Sequence, residues 1–122
     1  MINYSGGGPV PDYFENKAVK EILDNNHILV AAAGNDGYSL DTSGAPDTVT
    51  QYPAMYDTRI VVVGNRTEQG YRDKTSNYGD KVNRWDVGEN VTAFGITMSG
   101  TSQATAVATG KIVAEMTHSC VK

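Results

Sequence analysis

The apolar positions along this chain change period several times, and each change marks an element. Phe14, Ala18, Val19, Ile22 and Leu23 recur at helical spacing. Asp12 and Glu15 ahead of them form a capping pair, and Asn25-Asn26 ends the pattern, so an amphipathic helix is expected from about Asp12 to Asp24. The run Ile28-Leu-Val-Ala-Ala-Ala33 then has no polar alternation at all, and Gly34-Asn35-Asp36-Gly37 closes it. A strand covered on both faces reads this way, and such strands belong to parallel sheets flanked by helices. Ile60-Val-Val-Val63, ended by Gly64-Asn65, repeats the signature. Residues 38–58 between the two runs show no period and are expected to form a long loop of the kind that carries function.

Residues 67–89 are polar and turn-rich, with Tyr78, Val82 and Trp85 as expected anchors, and a short strand is expected near Val91 to Phe94. After Ser99-Gly100-Thr101-Ser102 a helix of small residues is expected from Gln103 to about Met116. Its Ala104, Val107, Ala108, Ile112 and Val113 can approach a sheet closely, with Gly110 tolerated at some cost in propensity. Adding a short opening strand at Ile2-Asn3, the order strand, helix, strand, strand, helix predicts an α/β fold: a partial parallel sheet flanked by helices in three layers. No internal repeat or domain linker interrupts it.

Composition narrows the function classes. The 122 residues carry a formal charge of -4, with no basic face to neutralise phosphates, so nucleic-acid binding is not expected. The longest apolar run is far short of the ~18–20 residues that cross a bilayer, so no membrane span is expected. The first residues have neither the basic nor the apolar region of a signal peptide. Cys120 is the one cysteine and has no internal partner for a disulfide.

Three motifs permit chemistry. Ser99-Gly-Thr-Ser-Gln-Ala104 opens a helix, where outward N–H groups and the helix dipole can stabilise an oxyanion beside a hydroxyl. Taken alone, the motif reads first as a simple N-cap at Thr101 or Ser102. Asn35 follows a buried strand at its carboxyl end, the place where ligands bind in open α/β sheets, although Gly34-Asn35 also reads as a plain turn. Tyr4-Ser-Gly-Gly-Gly-Pro9 exposes backbone to which an extended peptide could add, or forms a flexible loop.

In combination, the motifs resemble the carboxyl-terminal half of the subtilisin-like serine peptidases, the subtilase family or peptidase S8. That family runs through Asn-x-Ser-x-Gly-Gly, Val-x-Ala-Ala-Gly-Asn, Tyr-Pro-Ala, Val-x-Val-Gly, Ser-Asn-Tyr-Gly and Ser-Gly-Thr-Ser-x-Ala. The counterparts here are Asn3 to Gly8, Val30 to Asn35, Tyr52-Pro53-Ala54, Ile60 to Gly64, Ser76-Asn77-Tyr78-Gly79 and Ser99 to Ala104.

The resemblance implies a serine endopeptidase domain in which Ser102 is the nucleophile. Asn35 and the Ser102 backbone N–H would form the oxyanion hole. It places Ser5, Gly6 and Gly7 on the substrate-binding strand, Ala32, Ala33 and Gly34 on a wall of the pocket before the scissile bond, and Thr101 among the substrate-binding positions. It implies a peptide or protein substrate, no metal in the catalysis, calcium as a possible structural ion, and a secreted rather than cytoplasmic location. No carboxylate cluster for calcium is evident in the sequence.

A serine hydroxyl needs a base, normally a histidine held by a carboxylate. His118 follows Ser102 by sixteen residues, or about 24 Å of helix, and His27 lies roughly 26 Å of strand from Asn35, so neither is expected to serve. The family's Asp and His blocks come ahead of the Asn-x-Ser-x-Gly-Gly strand, whereas here that strand opens the chain. The chain is therefore expected to be inactive alone. It would be a fragment lacking its amino-terminal half, one half of a split enzyme, or a non-catalytic peptide-binding relative. An uncovered sheet edge is expected to favour self-association. Local departures from the family are Ala106 in place of a proline, Gln103 in place of a small residue or Met, and Asp86-Val87-Gly88 in place of Ala-Pro-Gly.

Overall fold

The structure, a computed structural model, describes residues 1–120, with side chains through Thr117. Four parallel strands form the central sheet: β1 (Ile2–Tyr4), β2 (Leu29–Ala32), β5 (Val61–Arg66) and β6 (Arg84–Val87), in that spatial order. Two short pairs lie outside it, the parallel β3 (Ser39–Leu40) and β4 (Thr48–Val49) and the antiparallel hairpin β7 (Val91–Ala93) and β8 (Ile96–Met98). Helices α1 (Tyr13–Asp24) and α2 (Thr101–Cys120) cover opposite faces of the sheet.

Strand alternation explains the layers. Leu29, Ala31 and Ala33 point to the α1 face and pack with Val19, Leu23, Ile60 and Val62. Val30 and Val63 point to the other face and meet Ala104 and Ala108 of α2, all four of them fully buried. The absence of a γ-carbon at Ala104 and Ala108 lets α2 lie close against the strands that carry the candidate site.

The expected elements are present, with changes in extent. Asp12 caps α1 as expected, its Oδ1 accepting the Glu15 N–H at 2.9 Å, but the reciprocal bond is replaced: the Asp12 N–H donates to the Tyr56 hydroxyl. The buried stripe of α1 is narrower than the spacing suggests. Val19 and Leu23 are buried, whereas Phe14 is 76% exposed and packs edge-on against Tyr13. Helix α2 begins at Thr101, two residues earlier than expected, and Val113 faces solvent rather than the sheet.

The main correction concerns residues 67–89. They contain β6, a full member of the sheet whose Arg84, Trp85, Asp86 and Val87 register with residues 63–66 of β5. Trp85 packs into the α1-side core, while Asp86, 3% exposed, takes ion pairs from Arg84 Nε at 2.7 Å and Lys111 Nζ of α2 at 2.9 Å. Burial alone pushes the Asp86 carboxyl pKa up, but these two hydrogen-bonded cations outweigh it and hold the group below the ordinary carboxylate value. The strand expected at Val91 to Phe94 does form as β7, in an exposed hairpin outside the central sheet.

Candidate functional site

The carboxyl ends of β1 and β2 converge on the amino-terminal turn of α2. Thr101 joins two of these elements and is fully buried. Its N–H donates to Asn35 Oδ1 at 2.9 Å, and its Oγ1 accepts the Gly34 N–H at 3.2 Å. Because the Asn35 oxygen is engaged by the helix, its carboxamide nitrogen is left as a free donor beside the cleft. The first-turn N–H groups of α2 have no acceptor within the helix, and they add the positive end of its dipole to the same space.

Asn77 shapes the loop that presents Asn35. It is fully buried; its Oδ1 accepts the Asp36 and Tyr38 N–H groups, and its Nδ2 donates to the Ala33 carbonyl and to Asp36 Oδ2. Its Ser-Asn-Tyr-Gly block was visible in the sequence, but this bracing role depends on contacts 39 to 44 residues away.

Ser102 is half-buried and tied to β1 in both directions. Its hydroxyl donates to the Ser5 carbonyl at 2.5 Å, and its own carbonyl accepts the Ser5 hydroxyl at 3.0 Å. Asn3 donates to Ser5 Oγ, and Thr109 of α2 donates to Asn3 Oδ1, which extends the lacing along the helix. In this state the Ser102 proton points at a main-chain carbonyl. His27 is exposed at the far end of β2 and does not join the site, while the side chain of His118 lies outside the described residues.

A cleft of about 360 Å³ passes in front of these groups. One side is Ser5 to Pro9; the other is Ala32, Gly34, Asn35 and Asp36; Thr101 and Ser102 lie at the helix end, and Val49 comes from β4 with Thr50 and Gln51 from the loop after it. Of the residues expected at the site, Ser5, Gly6, Gly7, Ala32, Gly34, Asn35, Thr101 and Ser102 thus share one cavity. Ala33 does not join them: alternation turns its side chain into the α1-side core, where it is fully buried. Gln51 is the residue missed. Its only signal was its place beside Tyr52-Pro53-Ala54 in a loop too long to be a mere connection.

Among the described residues, no group of three or more His, Cys, Asp or Glu side chains converges to hold a metal ion. No helix among them is long and apolar enough to cross a membrane.

The partial parallel sheet with flanking helices is the fold of the subtilisin-like α/β proteases. A sequence model of the subtilase family matches residues 1–117, and the chain belongs to that family of serine proteases. It is 34% identical over 110 residues to the minor extracellular protease Epr of Bacillus subtilis (strain 168), a match covering 86% of this chain and 16% of Epr. Among solved structures, the prenylagaramide maturation protease PagA superposes with a TM-score of 0.74 at 29% identity, over 89% of this chain and 40% of that one. The patellamide maturation protease PatA gives 0.71 at 30% identity, over 89% of this chain and 41% of its own. A cold-adapted subtilisin-like serine proteinase gives 0.69 at 29% identity, over 84% and 36%. The chain therefore spans less than half the length of each of these relatives.

Proposed function

We propose that this chain is the carboxyl-terminal part of a serine endopeptidase domain that hydrolyses peptide bonds through Ser102. In this reading a substrate strand lies along Ser5, Gly6 and Gly7, with its carbonyl between Ser102 Oγ and Asn35. Ser102 Oγ bonds to the carbonyl carbon as its proton passes to a base, and the oxyanion is held by the Asn35 carboxamide N–H and the Ser102 backbone N–H. Collapse expels the amine, which takes the proton, and water releases the acyl group by the same steps in reverse. Losing one oxyanion donor of this type costs about 10²–10³ in kcat in subtilisin, the enzyme in which that magnitude was obtained.

The observation carrying this reading is the Thr101 N–H bond to Asn35 Oδ1, which holds the carboxamide against the turn that carries Ser102, on the cavity both residues line. The base and its carboxylate come from a segment ahead of β1 or from a partner chain. β1 is the sheet edge facing that supply, with Ile2 39% and Tyr4 42% exposed. Similarity to an extracellular protease supports action outside the cell.

A second reading, a peptide-binding module without turnover, is favoured by the Ser102 proton facing Ser5 rather than a base. Fluorophosphonate labelling separates the two. Joined to a segment bearing the Asp and His, the chain is expected to label at Ser102, and Ser102→Ala to abolish it. Absence of labelling in that complete protein would leave only the binding module.

A further inference from the structure

The residue that closes the cleft on its inner side is Gln51, which is only 9% exposed yet lines the same cavity as Ser102 and Asn35. Its backbone is already fixed, since its carbonyl accepts the Met55 N–H and its N–H reaches Met55 Sδ. Its side chain is different. No protein group among the described residues hydrogen-bonds the carboxamide, and its polar atoms are not sealed from solvent, so a donor and an acceptor stay available on the cavity wall. Two glycines make room for it from opposite sides. A Cβ on Gly7 would fall 2.4 Å from Gln51 Nε2, and one on Gly34 would fall 3.0 Å from Gln51 Oε1. The amide plane thus spans the gap between the two backbone walls.

We propose that Gln51 sets the specificity of the cleft, and that the side chain it selects, next to the carbonyl facing Ser102, is itself a carboxamide: Asn or Gln. This rests on the reading of Ser102 and Asn35 above. A carboxamide offers one acceptor and one donor and can pair with both halves of the Gln51 amide. An ammonium satisfies only the oxygen, a carboxylate only the nitrogen. An aromatic ring satisfies neither and displaces the water that otherwise does. Sites built around buried hydrogen-bonding groups reject analogues that leave those groups unpaired far more strongly than apolar pockets reject a change of size. Among the described residues, Asp36 is the only charged one on the cleft; it is exposed to solvent and already accepts from Asn77, so it offers no buried counter-ion for a charged side chain.

The test uses the 122-residue chain and blocked tripeptide amides, Ac-Ala-Ala-X-NH2, with X as Asn, Gln, Phe or Lys, titrated against amide chemical shifts. Wild-type protein is expected to bind the Asn or Gln peptide at least about tenfold more tightly than the Phe peptide, with shifts at Ser5 to Gly7. Gln51→Ala should reduce that ratio to below about twofold, and the near-isosteric Gln51→Glu should move the preference to Lys. Gln51→Glu keeps the test decisive if Gln51→Ala loses its dispersed spectrum. Shifts at Ser5 to Gly7 that are indifferent to X, or a ratio unchanged in both variants, overturn the assignment and leave the cleft reading intact. No shifts with any peptide would overturn both.

Discussion

Asp86→Ala should be among the most costly single substitutions in this chain, and the reason lies in one buried carboxylate joining β6 to α2. Its side chain is 4% exposed and accepts two charge-assisted hydrogen bonds, from Arg84 at 2.7 Å and Lys111 at 2.9 Å. Bonds to charged groups contribute about 1.5–3 kcal/mol each, which would give roughly 3–6 kcal/mol if both cations were stranded. They are not equally stranded: the Lys111 side chain is 49% exposed and regains water, while Arg84 is 26% exposed and regains less. The expected loss is therefore about 2–4 kcal/mol for Asp86→Ala. Asp86→Asn, which keeps one acceptor oxygen, should lose about 1–2 kcal/mol, and Lys111→Ala less than about 1 kcal/mol. Equilibrium urea unfolding followed by far-ultraviolet circular dichroism at fixed protein concentration measures the series. The reasoning fails if Asp86→Ala lies within about 0.5 kcal/mol of wild type, or if Lys111→Ala costs as much as Asp86→Ala. The same group gives the sign of a pH effect. Its folded pKa lies below the unfolded value of about 3.9, so its contribution is complete above that pH and disappears as pH falls through the lower folded value. Asp86→Asn should flatten this acid limb of stability.

Three further outcomes follow from named contacts. Thr101→Val removes the acceptor of the buried Gly34 N–H and should cost about 1–2 kcal/mol in the same urea assay, whereas Thr101→Ser should cost much less. Phe94 and Gly95 both have positive φ, at 51° and 78°, in the two-residue turn of the β7–β8 hairpin, and the Phe94 side chain is fully exposed. Asparagine suits that turn, so Phe94→Asn should raise stability by up to about 1 kcal/mol, and a fall in melting temperature would contradict the turn assignment. The 13.1 kDa chain alone, with β1 as an open edge, should elute from size-exclusion chromatography ahead of a monomer; a concentration-independent monomer would argue against self-association through that edge.

Some of this was legible in the residues, and the boundary has a physical cause. β2 and β5 announce themselves because strands covered on both faces need apolar residues at every position, and Leu29 to Ala33 and Ile60 to Val63 supply them locally. β6 is half-buried and buries Asp86, yet it reads as polar because Asp86 is neutralised by Lys111, twenty-five residues further on, and Arg84 turns its guanidinium along the strand to the same carboxylate. Burial of a charge depends on its partner, and no local pattern contains that partner. The site divides the same way. Ser102 and Asn35 sit in recognisable motifs at element ends, although the side chains that brace them, Asn77 and Ser5, are distant in the sequence. Gln51 reaches the cleft through an irregular loop, and only the three-dimensional approach of Gly7 and Gly34 shows where its amide lies.

The ties around Ser102 bear on what the chain lacks. The turn ahead of α2 is held from three directions: Asn35 accepts the Thr101 N–H, Ser5 exchanges bonds with Ser102, and Gly88 accepts the Gly100 N–H while its own N–H goes to Asn65 Oδ1 at the end of β5. Gly88 must be glycine here, because a Cβ would fall 2.3 Å from the Gly100 carbonyl oxygen and 2.7 Å from the Ala104 nitrogen. Asn65 accepts from Gly88 although its Nδ2 is buried without a partner, an energetic cost of about 1–3 kcal/mol borne where the turn is positioned. None of these bonds involves a base. The donor geometry proposed for the oxyanion is thus built by residues within the chain, and on this reading the Ser102 hydroxyl must leave the Ser5 carbonyl to meet a base. On that account a complementing segment needs to contribute proton transfer more than site assembly, and peptide binding in the cleft should precede, and not require, its arrival.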